Sequence, residues 1–400
     1  MSVSPEGFDA AGPRLPVSVL TGFLGSGKTT LLSHLIRQPG LERLACVINE
    51  FGEVGLDHLL VEQVSGEPVV LDSGCICCTV RSDLVETLCS LFMRRLRGEI
   101  PEFDRVVIET TGLADPAPVL HTLMSNPLVA ARFRLDGVIA TVDAVHGEAQ
   151  LDEYPESVKQ AAVADRLVVT KSDLATPAAG GALLDRLRIL NPGATITIAV
   201  NGQVSPRALF DAGLYNPETK SLEVGRWLNE AAYHDEHHDH DHGRDHACDD
   251  HCDHEHGHGH GHGHGHGHGD EHEHGHGHGH EHHRPHRHAH DRRIASFCLT
   301  VEEAMPWARV LDFVDELIGD YGDRILRLKG LLNVLESPVP VAIHGVQHLL
   351  HPPVPLEAWP DADRRSRLVL ITRDLERTDV ETLLRSHLEK PDEDESGAEA

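Results

Sequence analysis

Three short stretches of this chain carry residue types and spacings that can act on a nucleoside triphosphate, and each follows an apolar run. Gly22-Phe-Leu-Gly25-Ser26-Gly27-Lys28-Thr29 fits G-x-x-x-x-G-K-[ST] without a mismatch, and Thr30 follows directly. The glycines let backbone amides turn inward around phosphate oxygens, and a helix opening at Lys28 adds a partial positive charge there. Lys28 suits neutralisation of the β and γ phosphates, and the Thr29 hydroxyl suits Mg²⁺. Arg105-Val-Val-Ile-Glu109 ends an apolar run on an acid, fitted to hold Mg²⁺ directly or through water. Glu109 is also the candidate for orienting the attacking water, and Gly112 lets a backbone N–H approach the γ phosphate. Thr170-Lys171-Ser172-Asp173 has the form of N-K-x-D with Thr in first place. Its carboxylate can accept from guanine N1–H and the exocyclic amine, a donor pair that adenine lacks, so Asp173 selects GTP and GDP. The Lys171 stem would cover the base face.

A different chemistry sits between the first two stretches. Cys75, Cys77 and Cys78 crowd into Gly74-Cys-Ile-Cys-Cys78. An extended chain points Cys75 and Cys77 to one side, and Cys78 can join them at a turn. Soft thiolates select Zn²⁺, Cu⁺ or related ions over Mg²⁺. Three protein ligands leave a tetrahedral ion one open position, which suits an ion that is passed on. The isolated Cys46, Cys89 and Cys298 read as core residues. Just before the thiols, Asn49-Glu50-Phe-Gly-Glu-Val-Gly-Leu-Asp57 is a polar, Gly-containing stretch after a strand, where a nucleotide-sensing switch would lie. Ordering of Asn49, Glu50 and Asp57 by γ phosphate and Mg²⁺ would reshape the thiol site.

Histidine supplies a third signal. Of the 33 His in the chain, 25 fall between His234 and His290, with Gly, Asp and Glu making up most of the rest. Such a segment cannot form a packed core, but neutral imidazoles bind Zn²⁺, Ni²⁺, Co²⁺ and Cu²⁺. It reads as a low-affinity metal reservoir or capture arm. The net charge of −29 with His neutral argues against nonspecific nucleic-acid binding. Full protonation of the His would move that charge to +4, so the surface field should change steeply near about pH 6.5. The chain has no apolar run long enough for a membrane helix and no secretory start, which makes the cytoplasm the expected compartment and reduced thiols the expected state.

These residues need elements to hold them. Strands are expected at Val17–Leu20, Leu44–Asn49, Val69–Leu71, Arg105–Ile108, Gly137–Val142, Arg166–Thr170 and Thr195–Ala199, with helices at Lys28–Arg37 and Asp83–Leu96. Strands alternating with helical stretches predict an α/β domain, a mainly parallel sheet with ligands at the carboxyl ends of its strands. The composition divides the chain into a tail over 1–13, a domain over 14–233, a disordered His-rich linker over 234–292, a smaller α+β domain over 293–388 and an acidic tail over 389–400. In the last domain, strands are expected at Ala295–Val301, Ile325–Leu328, Asn333–Glu336, Val341–Ile343 and Arg367–Thr372, with helices at Pro306–Ile318 and Asp379–Leu388.

Taken together, Thr21–Thr30, Asn49–Gly52, Gly74–Cys78, Glu109–Pro116 and Thr170–Asp173 resemble the CobW family of metallochaperone GTPases, and Leu328-Lys-Gly330 with Val346 resembles that family's C-terminal domain. The resemblance implies a P-loop GTPase domain with a smaller α+β domain. It also implies GTP-dependent metal insertion, with Cys75, Cys77 and Cys78 as the metal site. Glu-Thr-Thr-Gly-Leu-Ala-Asp-Pro116 is more similar to the zinc-associated members than to those serving cobalamin synthesis. The expectation is a GTP-hydrolysing chaperone that carries Zn²⁺ to a client metalloprotein. A cobalt chaperone for cobalamin synthesis and a metal buffer or sensor without delivery stand as alternatives, and homodimer formation stays open.

Overall fold

The computed structural model describes residues 14–49, 70–73, 80–212, 228–233 and 293–389. Cys75, Cys77, Cys78, Glu50, Asp57 and the segment from His234 to His290 lie outside them, and Asn49 is described by its backbone alone.

Seven parallel strands form the first sheet. They are β1 (Leu15–Gly22), β2 (Leu44–Asn49), β3 (Val70–Ser73), β4 (Arg105–Glu109), β5 (Phe133–Asp143), β6 (Arg166–Thr170) and β7 (Thr195–Ala199). Their order is β3-β2-β4-β1-β5-β6-β7. The interleaved helices are α1 (Lys28–Ile36), α2 (Val80–Leu96), α3 (Ala117–Ser125), α4 (Pro127–Ala130), α5 (Gly147–Glu153), α6 (Pro155–Val163), α7 (Pro177–Leu190) and α8 (Pro206–Leu209). The central strands β1, β4, β5 and β6 read as near-continuous apolar runs because both faces are covered. Successive residues serve opposite cores. Val17, Val19, Val106 and Ile108 pack with Leu84, Leu88 and Leu91 of α2 and Leu120 of α3. Leu20 and Val107 pack with Leu31, Leu32 and Leu35 of α1. The central position of β1 puts the turn after it at the carboxyl edge, where strand order reverses and ligands bind in such sheets.

The second sheet is antiparallel. It holds β8 (Ile294–Val301), β9 (Ile325–Leu332), β10 (Val341–Val346), β11 (Leu349–Leu350), β12 (Val354–Pro355) and β13 (Ser366–Arg373). The main path is β11-β10-β9-β13-β8, with β12 beside β10. One face carries α9 (Trp307–Tyr321) and α10 (Arg377–Leu388) through Val310, Phe313, Leu317, Val380 and Leu384. The other carries Leu331, Ala342 and Val369 against Leu228, Leu356 and Trp359, and Leu326 and Ile371 against Ala162 of α6. Both sheets therefore belong to one compact unit.

The α/β class and the second, α+β domain stand as the sequence predicts, with one element corrected. Asn333–Glu336 is not a strand. Val334 makes only an isolated bridge to Met305, and Leu335 and Glu336 turn. The Asn333 amide donates to Ser366 Oγ at 2.8 Å instead of to a ladder, and Pro338 and Pro340 follow, where no amide is available to extend pairing. Other boundaries shift outward, as in β5, which starts at Phe133, and α9, which runs to Tyr321. Among the described residues no helix is long and apolar enough to cross a membrane.

Candidate functional site

The turn after β1 is built from backbone that only glycine adopts cheaply. Gly22, Gly25 and Gly27 have φ of 139°, 72° and 91°. A Cβ on Gly22 would lie 2.3 Å from Thr141 Oγ1 and 2.5 Å from the Thr141 carbonyl oxygen, so the end of β5 closes that position to any side chain. Gly27 also caps α1 in the left-handed conformation, with no side chain on the first-turn amides and no acid among the first residues. Those amides and the helix dipole favour an anion.

Around this turn the expected residues meet. Lys28 is buried, and its Nζ donates to the carbonyls of Gly22 at 2.9 Å and Phe23 at 3.1 Å, which curls the ammonium back over the loop. Thr29 Oγ1 donates to Glu109 Oε1 at 2.8 Å. A hydroxyl and a carboxylate are hard oxygen donors, so this pair fits Mg²⁺ and not a soft ion. Gly112 presses on the same loop. A Cβ there would lie 2.6 Å from the Leu24 amide nitrogen and 2.7 Å from Leu24 Cα. Ser26 Oγ meets Thr141 Oγ1 at 2.6 Å, and Thr30 lies exposed on the first turn of α1.

Thr170 explains the variant first place of its motif. Its Oγ1 donates to the Ser26 carbonyl at 2.7 Å, tying the candidate base loop to the phosphate loop. Lys171 follows at φ 55°, a left-handed conformation that costs a lysine about 1–2 kcal/mol. Its Nζ pairs with Asp143 Oδ2 at 2.7 Å. Asp173 stands exposed past the turn. Burial opposes ionisation of Asp143, but the Lys171 ammonium and the amides of Val145 and His146 outweigh it and hold the carboxyl below its ordinary range. Cys46 and Cys298 are buried as expected, whereas Cys89 on α2 is only partly buried; burial together with the Glu109 charge pushes the Cys46 thiol up to about 12.

The segment after Glu109 reaches the second sheet. Gln160 Nε2 on α6 donates to the carbonyls of Gly112 at 3.2 Å and Ala114 at 3.0 Å. Asp115 accepts from Lys159 Nζ at 2.9 Å, the Ala117 amide at 3.0 Å, and Gln347 Nε2 at 2.9 Å, from the turn after β10. Beside it, Val346 is buried in the core that holds Ala117 and Leu120. A second tie lies behind α6, where Asp165 accepts from Arg327 and from Lys329 Nζ at 3.0 Å. Burial, followed by the Arg327 charge, pulls the Lys329 ammonium down to about 7; the same cluster holds the Asp165 carboxyl well below its usual range despite burial. Asp143, Gln160 and Asp165 belong to none of the sequence motifs, and Asp115 lay inside the Glu109–Pro116 motif without an assigned role. Asp143 carried the same signal as Glu109, an acid closing an apolar strand.

Register places the remaining candidates. Asn49 pairs with Ser73 at the carboxyl ends of β2 and β3, and Ile48 pairs with Glu109. The chain therefore enters the switch stretch, the thiol stretch and the Glu109 stretch from three neighbouring strands. No group of three or more His, Cys, Asp or Glu that could hold a metal occurs among the described residues.

A parallel sheet with a phosphate loop after its central strand, a Thr–Glu oxygen pair beside it and a second sheet packed on its helices defines a P-loop nucleotide-binding protein with an appended α+β domain. Residues 16–198 match the CobW/HypB/UreG nucleotide-binding domain, and residues 294–388 match the C-terminal domain of cobalamin synthesis protein CobW. The chain belongs to the CobW family. It is 40% identical over 197 residues to the zinc chaperone YjiA of Escherichia coli, covering 49% of this chain and 61% of that one. It is 33% identical over 224 residues to the zinc-regulated GTPase metalloprotein activator 1 of Schizosaccharomyces pombe, covering 54% and 53%. The matches thus span less than two thirds of these relatives. The fold is similar to that of Zn(II)-bound YjiA GTPase from E. coli, with a TM-score of 0.61 at 24% identity, over 94% of this chain and all of that one.

Proposed function

We propose that this chain hydrolyses GTP and uses the cycle to load Zn²⁺ from Cys75, Cys77 and Cys78 onto a client metalloprotein. The observation that carries the reading is the edge order β3-β2-β4-β1, which leads the thiol stretch, the switch stretch, Glu109 and the phosphate loop out side by side. Gly22, Gly25, Ser26, Gly27 and Thr30 would wrap the phosphates, with Lys28 spanning β and γ. Thr29 and Glu109 would hold Mg²⁺, which when bound neutralises charge on the phosphates. Thr170, Lys171 and Asp173 would hold guanine. Gly112 would sense the γ phosphate, because it already abuts Leu24 of the loop. Asn49, Glu50 and Asp57 would carry the state of the nucleotide to the thiols. The relatives named as zinc chaperones favour Zn²⁺ over Co²⁺ as the cargo. The histidines between His234 and His290 would collect ions at lower affinity for transfer to the thiols.

The test is Cys77→Ser in the full chain. Chelator competition should show one high-affinity Zn²⁺ site lost, and GTP turnover should no longer respond to Zn²⁺. Retention of that site, with turnover still responding to zinc, would remove the thiols from the account.

A further inference from the structure

We propose that Asp143 is a positioning residue for guanine recognition: by gripping Lys171 it fixes the conformation that aims Asp173 at the base. The inference rests on the reading of Thr170–Asp173 as the base loop.

Asp143 closes β5 and faces Thr170 in register on β6. Its side chain is 2% exposed, against 37% for Lys171. Both carboxylate oxygens are used. Oδ2 accepts from Lys171 Nζ at 2.7 Å, and Oδ1 accepts from the amides of Val145 at 2.8 Å and His146 at 3.3 Å. The Ala144 amide donates to the Thr170 carbonyl at 2.9 Å. One buried group thus joins the base loop to the loop that opens α5.

The grip has a conformational consequence. Lysine has no intrinsic preference for φ 55°, unlike Gly or Asn, so an outside contact must hold it there. The ion pair supplies that contact from a rigid strand end. The left-handed residue sends Ser172 and Asp173 away from the line of β6, and the Leu174 amide closes the turn onto the Lys171 carbonyl at 3.0 Å. Release of Lys171 would let the turn relax and Asp173 lose its aim. The phosphate loop would keep its own anchor, because Thr170 reaches the Ser26 carbonyl through its hydroxyl at 2.7 Å without Asp143. The loss should therefore fall on the choice of base and spare the grip on phosphate. A purely structural role would weaken all nucleotides alike.

The experiment is Asp143→Asn in the full chain, with GTP and ATP each titrated against a fluorescent GDP analogue. Asn keeps an oxygen for the two amides and removes the charge facing Lys171. GTP affinity should fall about tenfold while ATP affinity holds, and KM for GTP should rise with little change in kcat. Lys171→Met should lower the GTP/ATP ratio as well, and adding Asp143→Asn to it should lower the ratio no further. Should Asp143→Asn fail to fold, Lys171→Met decides alone. An unchanged ratio, or equal losses for both nucleotides, would overturn the proposal. Asp173→Ala separates the two readings. If it leaves the ratio intact, the base-loop reading itself is wrong; if it collapses the ratio while Asp143→Asn does not, only the role of Asp143 is lost.

Discussion

At the scale of single residues, the site depends on positions where one extra carbon is intolerable. Gly112 shows this most sharply, because a Cβ would strike backbone atoms of Leu24 that cannot move without displacing the phosphate loop. Gly112→Ala should lower kcat for GTP on the order of a hundredfold, the scale of an ångström-level misplacement, with a thermal midpoint near that of the parent. Steady-state turnover at saturating GTP checks it, and an unchanged kcat would free Gly112 from the site. Residues of this kind were legible in sequence because their chemistry is local: the glycine spacing, Lys28, Thr29 and Glu109 each read from a run of a few letters. The pairings of Asp143 and Asp115 were not. Their partners lie 28 and 232 positions away in the chain, and only the folded registers of β5 and β10 bring them together.

At the scale of elements, two of the ties between the second sheet and the first domain differ in character. Gln347 and Val346 touch the segment that leaves Glu109, whereas Arg327 and Lys329 on β9 converge on Asp165 behind α6. The Leu328-Lys-Gly330 motif had suggested family membership without a role; its lysine is half of the second tie. Asp165→Asn would leave two buried cations without their carboxylate and should cost about 3–5 kcal/mol in chemical unfolding. The sign with pH follows from the lowered carboxyl. Its stabilisation is full above the unfolded value of about 3.9 and is lost as pH falls through the lower folded value. In a Lys329→Met background, where that amine no longer titrates, stability measured from pH 6 down to 3 should show an acid-side slope that becomes shallower when Asp165→Asn is added. Equal slopes would mean the tie does not carry the charge assigned to it. The strand order was less legible than the strands, since parallel runs alternate with helices whichever way they are threaded. The false strand at Asn333–Glu336 arose because Val334 and Leu335 look β-like until the prolines beyond them are weighed.

At the scale of the molecule, the fold sets the phosphate loop and Glu109 at the carboxyl edge of the first sheet, beside the strand ends that lead into 50–57 and 74–79, and fastens the second sheet to the segment after Glu109. On one side, Gly112 abuts Leu24 of the phosphate loop, and Asp115 farther along the same segment accepts from Gln347. On the other, β2 and β3 deliver the switch and thiol stretches in register. That arrangement makes coupling between GTP and Zn²⁺ the central claim, and linkage requires the coupling to run both ways. The most direct measurement is Zn²⁺ affinity by chelator competition, with a non-hydrolysable GTP analogue and then with GDP. It uses a full-length variant in which the histidines from 234 to 290 are replaced by serine, so that only the tight site reports. The account predicts one thiol-dependent site whose affinity differs between the two nucleotide states by about fivefold or more. Equal affinity in both states would contradict it.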